Sequence, residues 1–293
     1  MATAHANTAT DHGTDAAAYY VPHGSRWPVF ASVALFVTMA GLASWLNEAS
    51  WGRATFFAGL AGLLAVLFKW FGDVIRESLA GHYNKQVDTS FRMGMVWFIF
   101  SEVMFFAAFF GALFYVRNLS VPDLGSLDAK LIWPDYTAAW PTVGPYIKEQ
   151  FTPMGAIGIP LLNTIILLTS GFTLTVAHHA LKAGHRGSLA LWLFLTIALG
   201  VTFMGFQVYE YVHAYSDLNL KLTTGVYGST FFMLTGFHGF HVTIGAIMLA
   251  VMLARVLRGH FTADHHFAFE AAAWYWHFVD VVWLLLFVLV YWL

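Results

Sequence analysis

The sequence contains no cysteine and few charged residues. Without cysteine, the chain has no disulfide, iron–sulfur cluster, thiolate metal site or cysteine nucleophile. Only 10% of its residues are charged and the formal net charge is −2, whereas about a quarter of the residues in soluble domains are charged. This balance leaves no basic surface for nucleic acid and excludes a large soluble domain.

Long apolar stretches are abundant: 59% of the residues are hydrophobic and 18% are aromatic. A transmembrane helix needs about 20 apolar residues, and seven segments from Trp27 onwards reach that length. We therefore predict an all-α integral membrane protein with seven transmembrane helices. The segments cover residues 27–46, 54–75, 91–116, 156–180, 189–212, 226–254 and 271–292.

Two polar stretches lie outside these segments. Residues 1–26 are small, polar and slightly acidic, which predicts a solvated N-terminal tail. Residues 117–155 contain several prolines together with Trp133 and Trp140, a composition that predicts an ordered extramembrane loop with little helix. The remainder, 27–293, is predicted to be one membrane domain, with helices 1 and 2 at about 27–75 and helices 3 to 7 at about 91–292.

Basic residues predict the orientation of the chain in the membrane. Lys and Arg are enriched in cytoplasmic loops, and the side that carries the N-terminus holds more of them than the other side. The sequence therefore predicts a cytoplasmic N-terminus and an external C-terminus. The N-terminal side carries Arg26, Arg76, Lys85, Arg92, Lys182, Arg186, Arg255 and Arg258, with Lys69 near the same surface.

The last apolar segment carries ionisable residues that need partners. Glu270, His277 and Asp280 lie on a helix that is otherwise apolar enough to span a membrane, and an ionisable group in hydrocarbon costs several kcal/mol unless it is paired. His238 and His241 lie one turn apart in the sixth segment. We interpret these five residues as a structural polar cluster, with haem or metal ligation as the alternative.

Two histidine pairs flank the basic side of the predicted bundle. His178 and His179 end the fourth segment, and His265 and His266 precede the seventh. Imidazole titrates near neutral pH, so these four residues are candidates for a proton-collecting surface. The alternative is that they are interfacial groups in contact with water and headgroups. No HExxH or cysteine-containing pattern indicates a zinc site, and none is predicted.

The predicted depth in the membrane of three further charged residues suggests a role for each. Arg76 and Arg255 fall where lipid phosphates lie, so they are candidates for lipid binding or for ordinary snorkelling. Glu102 lies ten residues past Arg92, about 15 Å into the membrane. Its helical neighbours are mostly phenylalanines and include no basic residue, so we expect its carboxyl to hydrogen-bond within the bundle.

Several sequence blocks together resemble subunit III of the haem–copper oxidases, the cytochrome c oxidase subunit III family. The resemblance runs from about Trp27 to the C-terminus, with the blocks in order on the seven apolar segments. They are DVIRES (73–78), RMGMVWFIFSEVMFF (92–106), PLLNT (160–164), AHHAL (177–181), VYGSTFF (226–232), TGFHGFHVTIG (235–245) and HHFAFEAAAWYWHFVDVVW (265–283).

This resemblance implies a non-redox subunit of an aa3-type cytochrome c oxidase in aerobic respiration. It implies two helices split from five by a lipid-filled cleft, no catalytic residue, haem or copper on this chain, and bound phospholipid. The implied lipid contacts are Arg76, Glu77 and His82 at the cleft and Arg255 on the other bundle, while Glu102 matches an intramembrane carboxylate. The subunit would stabilise the catalytic subunit and support its proton uptake.

The resemblance also implies the partners and the location. The main partner is oxidase subunit I, which carries haem and copper, followed by subunit II and a small subunit. Cytochrome c would interact only through the complex. The expected location is the bacterial cytoplasmic membrane with a periplasmic C-terminus, and the mitochondrial inner membrane is the alternative.

Three other functions stay open at this stage. A quinol oxidase subunit III tends to have five helices, so helices 1 and 2 argue against it. A membrane b-type cytochrome would use His238, His241 and His277 as haem ligands. A proton-coupled transporter would use Glu102, Glu210 and Asp280 along a path, although the helices do not divide into two equivalent halves.

Overall fold

The computed structural model describes Tyr20 and residues 24–147 and 150–292. All regular secondary structure in this part of the chain is helical, and seven of its helices are long and apolar enough to cross a membrane. The predicted all-α membrane class is therefore confirmed. Most of the predicted tail, 1–26, lies outside the described residues.

Most of the long helices extend beyond the predicted apolar segments, because backbone hydrogen bonding continues into the polar interface; α1 has the predicted bounds, and α6 begins three residues later than predicted. Seven long helices account for most of the chain, and two short ones follow α3. In chain order they are α1 (Trp27–Leu46), α2 (Gly52–Leu79), α3 (Lys85–Tyr115), α4 (Val121–Asp123), α5 (Leu127–Ile132), α6 (Ile159–Lys182), α7 (Arg186–Ser216), α8 (Gly225–Leu257) and α9 (Phe267–Leu286). Short π-helical segments cover Val116–Ser120 and Phe287–Trp292.

The loop 117–155 contains more helix than its proline content predicts. Pro122 lies in the first turn of α4, where the missing N–H costs nothing, and the Ser126 hydroxyl accepts a hydrogen bond from the N–H of Ala129 at the start of α5. Later in the loop, the N–H of Tyr227 on α8 donates to the carbonyl of Thr142. The described residues between Trp133 and Gly155, which hold most of the prolines, contain no helix, as predicted, and the unexpected helix lies within 117–132.

The chain forms two compact units, Met1–Phe91 and Arg92–Leu293, while the predicted domain boundaries stay predictions. In the first unit, α1 and α2 pack backbone to backbone. A Cβ at Gly59 would lie 2.6 Å from the backbone nitrogen of Thr38, and Gly41 and Gly52 meet the other helix as closely. Such small residues let transmembrane helices approach, which packing in lipid requires.

In the second unit α9 is the central helix. The indole of Trp276 fills a slot between Gly200 of α7 and Gly245 of α8, where added Cβ atoms would lie 2.6 and 2.8 Å from its ring. Its N–H donates to the Ser170 hydroxyl at 2.9 Å, and the Trp283 N–H donates to Thr164 at the same distance. These buried indoles fix the register of α9 against α6.

The π-helical end of α9 places a tyrosine against a buried acid. Tyr291 donates its hydroxyl to Glu210 on α7 at 2.5 Å, and Glu210 is fully buried. A carboxyl in such a place requires a hydrogen-bond partner. This contact closes the end of the bundle opposite Arg255 and His266.

Candidate functional site

Three helices of the second unit converge on the carboxylate of Glu270. Arg92 of α3 forms an ion pair with one oxygen. The other oxygen lies 3.2 Å from Nε2 of His266 and 3.5 Å from Nε2 of His178 on α6. Glu270 is in the first turn of α9, where the helix dipole also favours a negative charge. The site therefore combines one carboxylate, one guanidinium and two imidazoles.

The hydrogen bonds of His266 determine what this site can hold. Its Nδ1 lies 3.2 Å from the carbonyl oxygen of Thr262, a pure acceptor, which assigns the Nδ1 proton. Nε2 faces a carboxylate oxygen of Glu270, so both ring nitrogens lie next to oxygen acceptors.

The same three side chains are possible metal ligands by distance alone. One donor atom from each of His178, His266 and Glu270 lies within 4.8 Å of the others. Arg92, however, already pairs with the carboxylate and adds positive charge next to any bound cation. The predicted absence of a metal site on this chain stays a prediction.

The four histidines proposed as a proton-collecting surface are not equally exposed. His179 and His265 are exposed, whereas His178 is half-buried and His266 is buried. The expectation that all four lie at the surface is wrong for His266, because its ring turns inward to Glu270. Their role in proton collection stays a prediction.

Glu102 has the hydrogen-bond partner that the sequence predicted it would need. Its carboxyl oxygen lies 2.8 Å from Nε2 of His241 on α8, and Nδ1 of that ring lies 2.6 Å from the carbonyl of Phe237. The expected hydrogen bond is therefore confirmed. The partner is an imidazole from a different helix, more than a hundred residues away in sequence, and the neighbours of Glu102 on its own helix include no basic residue, as expected.

The predicted structural polar cluster is separated into independent contacts. His238 lies with Nε2 3.3 Å from the carbonyl of Val279, while His241 pairs with Glu102. His277 and Asp280 contact each other, and Glu270 lies about 10 Å from His277 and about 15 Å from Asp280 along the same helix. A single cluster of His238, His241, Glu270, His277 and Asp280 is therefore wrong, since helical rotation directs these side chains to different neighbours.

In the first unit, the predicted lipid-binding residues lie at the end of α2. Arg76 forms an ion pair with Asp73, which also accepts a hydrogen bond from Trp27 at 2.8 Å. The Tyr83 hydroxyl donates to Glu77 at 2.7 Å, and burial together with that carboxylate raises the pKa of Tyr83. The ring of His82 packs edge-on against Tyr20, with centroids 5.2 Å apart.

Arg255, the lipid-binding candidate of the second unit, is buried rather than exposed. Its guanidinium carbon lies 4.4 Å from the centre of the Phe261 ring, a cation–π contact. Its Nε has no hydrogen-bond partner among the described residues. Beside Phe261 lies a cavity of about 280 Å³ that is also lined by Arg186. Arg255 itself is not among the residues that line this cavity.

Sequence reasoning did not identify Arg92, Asp73 or Tyr83 as members of these sites. Arg92 and Asp73 lie inside sequence blocks that were noted, but only as basic or flanking residues. The one available signal was the unpaired charge of Glu270, which requires a cation. Nothing in the sequence indicated that this cation comes from α3.

Comparisons with known proteins identify the family. The family model described as cytochrome c oxidase subunit III matches residues 17–293. Proteins titled cytochrome c oxidase subunit 3 from Latimeria chalumnae, Hippopotamus amphibius and Loxodonta africana are 43%, 44% and 42% identical to this chain over 276 residues. Each alignment covers 94% of this chain and 97% of the relative. The chain therefore belongs to the cytochrome c oxidase subunit III family.

Proposed function

We propose that this chain is the non-redox subunit III of an aa3-type cytochrome c oxidase in aerobic respiration. As a subunit of that oxygen-reducing, proton-translocating enzyme, it stabilises the catalytic subunit and supports its proton uptake. Its main partner is subunit I, which carries the haem and copper, with subunit II and a small subunit as further neighbours. Cytochrome c interacts only with the assembled complex.

The observation that carries this proposal is that His238 and His241 are packed among protein side chains of the bundle. The ring of His238 packs between Phe203 and Trp283, with centroids 5.8 and 5.1 Å away. Both nitrogens of His241 have partners on Glu102 and Phe237. Nδ1 of His238 has no hydrogen-bond partner among the described residues, but the rings packed on that imidazole leave no space for a porphyrin beside it. This packing supports a subunit without its own redox centre and argues against a b-type cytochrome.

The intramembrane acids likewise favour a structural role over a transport path. Glu102 pairs with His241, Glu210 with Tyr291, and Asp280 lies against His277. Each acid has a local partner from its own helix or a neighbouring one. A proton-coupled transporter would require these groups to connect with one another, so the local pairing favours the oxidase subunit.

Lipid binding and proton uptake are the two supporting activities that we propose for named residues. Arg76, Glu77 and His82 would contact phospholipid headgroups along a lipid-filled cleft, and Arg255 would hold a phosphate beside the Phe261 cavity. The exposed His179 and His265 would collect protons, and the pair of His266 and Glu270 would hold one close to the same surface.

The chain is a multi-pass membrane protein, and we propose the bacterial cytoplasmic membrane as its location, with the mitochondrial inner membrane as the alternative. The distribution of Lys and Arg supports a cytoplasmic N-terminus and a periplasmic C-terminus. Reporter fusions at the two termini test this orientation directly.

An absorption spectrum of the purified chain, paired with co-purification, tests the proposed function. We expect no Soret band from the isolated polypeptide and a haem–copper subunit that co-purifies with the tagged chain from native membranes. One haem per chain would contradict the proposal and favour a cytochrome.

Proton uptake is tested by the pH profile of turnover. Removing the subunit from the complex is expected to lower the pH at which steady-state turnover begins to fall, since an uptake surface is lost. Identical profiles with and without the subunit would reject the proton-collecting role alone.

A further inference from the structure

A histidine is exposed at mid-membrane depth on the outer side of α9. His277 lies ten residues past the start of the helix, about 15 Å from that end, and 44% of its side chain is exposed. The next two residues on the same stripe toward the C-terminus, Val281 and Leu284, are exposed and apolar, and Trp274 lies one turn before it. A polar ring among aliphatic side chains at this depth is costly in lipid.

The histidine belongs to a pair whose acid is incompletely satisfied. Asp280 has one carboxylate oxygen 3.5 Å from Nδ1 of His277, and its other oxygen is buried without a hydrogen-bond partner among the described residues. Gly171 of α6 makes room for this pair, since a Cβ there would collide with the carboxylate. The fold thus positions a polar group at the surface of α6 and α9.

The contact between His277 and Asp280 defines what the exposed ring offers. The carboxylate of Asp280 is an acceptor, so the neighbouring Nδ1 carries the proton of the neutral ring. The unprotonated Nε2, on the opposite edge of the imidazole, is then an acceptor that needs a donor. Acyl chains have no donor, and water is excluded from this depth.

We propose that this surface docks a transmembrane helix of the oxidase catalytic subunit that presents a hydrogen-bond donor to His277. The inference rests on the proposed function, because it takes that subunit as the neighbour. A donor of hydroxyl, indole or cationic type would satisfy Nε2. The surface, called the His277 face below, consists of Trp274, His277, Val281 and Leu284 of α9 with Leu168 and Thr175 of α6.

The outer side of α7 gives a contrast within the same unit. Phe194, Val201 and Val208 are exposed there to a similar degree, and Thr202 beside them bonds the carbonyl of Ala198 on its own helix. None of these four side chains has a polar atom without a hydrogen-bond partner. Such a face suits lipid, whereas the His277 face suits a polar protein neighbour.

Site-specific photo-cross-linking in the native membrane tests the proposal. A p-benzoyl-phenylalanine probe replaces Val281 on the His277 face, and Val201 on α7 in the control; their exposures are 57% and 59%. We expect the Val281 probe to cross-link the catalytic subunit and the Val201 probe to give lipid adducts. Adducts to lipid or to a second copy of this chain from the Val281 probe would overturn the proposal.

A substitution supplies an independent readout. His277→Leu is expected to speed dissociation of this chain from the detergent-solubilised complex by about tenfold, the effect of losing one hydrogen bond. Thr202→Val, the control, is expected to leave that rate unchanged. An unchanged rate in His277→Leu would overturn the proposal, and if this variant does not fold, the cross-linking result decides alone.

The two proposals fail in different ways. If the haem–copper subunit co-purifies but cross-links only to the α7 probe, the His277 face is wrong and the proposed function stands. If no haem–copper subunit co-purifies with the chain, the proposed function itself fails.

Discussion

Glu102 of α3 and His241 of α8 lie 2.8 Å apart and form a polar contact between two helices that otherwise meet through aromatic rings. Phe105 and Phe106 flank the imidazole, with ring centroids 5.9 and 5.0 Å from it. The low dielectric of such surroundings strengthens a hydrogen bond that is made and raises the cost of one that is lost. The contact therefore joins α3 to the rest of the second unit.

Substituting Glu102 is expected to separate this structural role from any role in pumping. Glu102→Gln keeps the shape of the side chain and a hydrogen bond to His241, so the complex should assemble with normal turnover and proton pumping. It should lose reaction with a hydrophobic carbodiimide, which modifies carboxyl groups in apolar sites. Lost pumping in a fully assembled Glu102→Gln complex would assign Glu102 a different role.

His241→Ala should cost about 1–3 kcal/mol of stability, because it leaves the carboxyl group of Glu102 without its hydrogen-bond partner.

Removing a guanidinium is expected to loosen bound lipid. Arg76 and Arg255 can each hold a phosphate through charge-assisted hydrogen bonds that lysine reproduces poorly. Complexes with Arg76→Ala or Arg255→Ala should retain less phospholipid after purification and inactivate sooner during turnover, with nearly normal initial activity. Lipid phosphorus analysis and the decay of turnover measure both effects. Unchanged lipid content and lifetime in both variants would reject the lipid-binding role.

The contact between Tyr291 and Glu210 is expected to contribute measurably to stability. Tyr291→Phe leaves a buried carboxyl oxygen without its donor, which should cost about 1–3 kcal/mol and lower the thermal unfolding midpoint of the complex. Tyr209→Phe is the matched control, because Tyr209 is exposed on the same helix as Glu210. Equal midpoints for the two variants would show that the buried hydrogen bond contributes nothing.

The slot that receives Trp276 gives a prediction with a control on the same helix. Gly200→Val would place side-chain atoms into the indole, since even a Cβ lies 2.6 Å from it. The variant should lose about 1–3 kcal/mol of unfolding free energy, or fail to assemble. A Cβ added at Gly205 meets no heavy atom within 4 Å, so Gly205→Val should assemble normally. The yield of folded, assembled complex measures the difference, and similar yields would contradict the packing.

The positions of the long helices followed from the sequence because lipid permits few alternatives. A run of about 20 apolar residues in hydrocarbon must satisfy its backbone internally and therefore becomes a helix. Glu102 could also be placed near mid-membrane from sequence, and its need for a hydrogen bond was predicted from desolvation alone. In the loop 117–155, α4 and α5 were not predicted, because they depend on local positions such as Pro122 and Ser126.

The sequence by itself determined the membrane class, the seven spanning helices and which ionisable residues require partners, since length, polarity and depth are local properties. The tertiary structure alone decided who those partners are. Glu102 and His241 are 139 residues apart, and Arg92 and Glu270 are 178 apart. Their contacts depend on how each helix is rotated about its axis, which packing such as Trp276 between Gly200 and Gly245 fixes. That rotation is a collective result of side-chain fit, and no single segment encodes it.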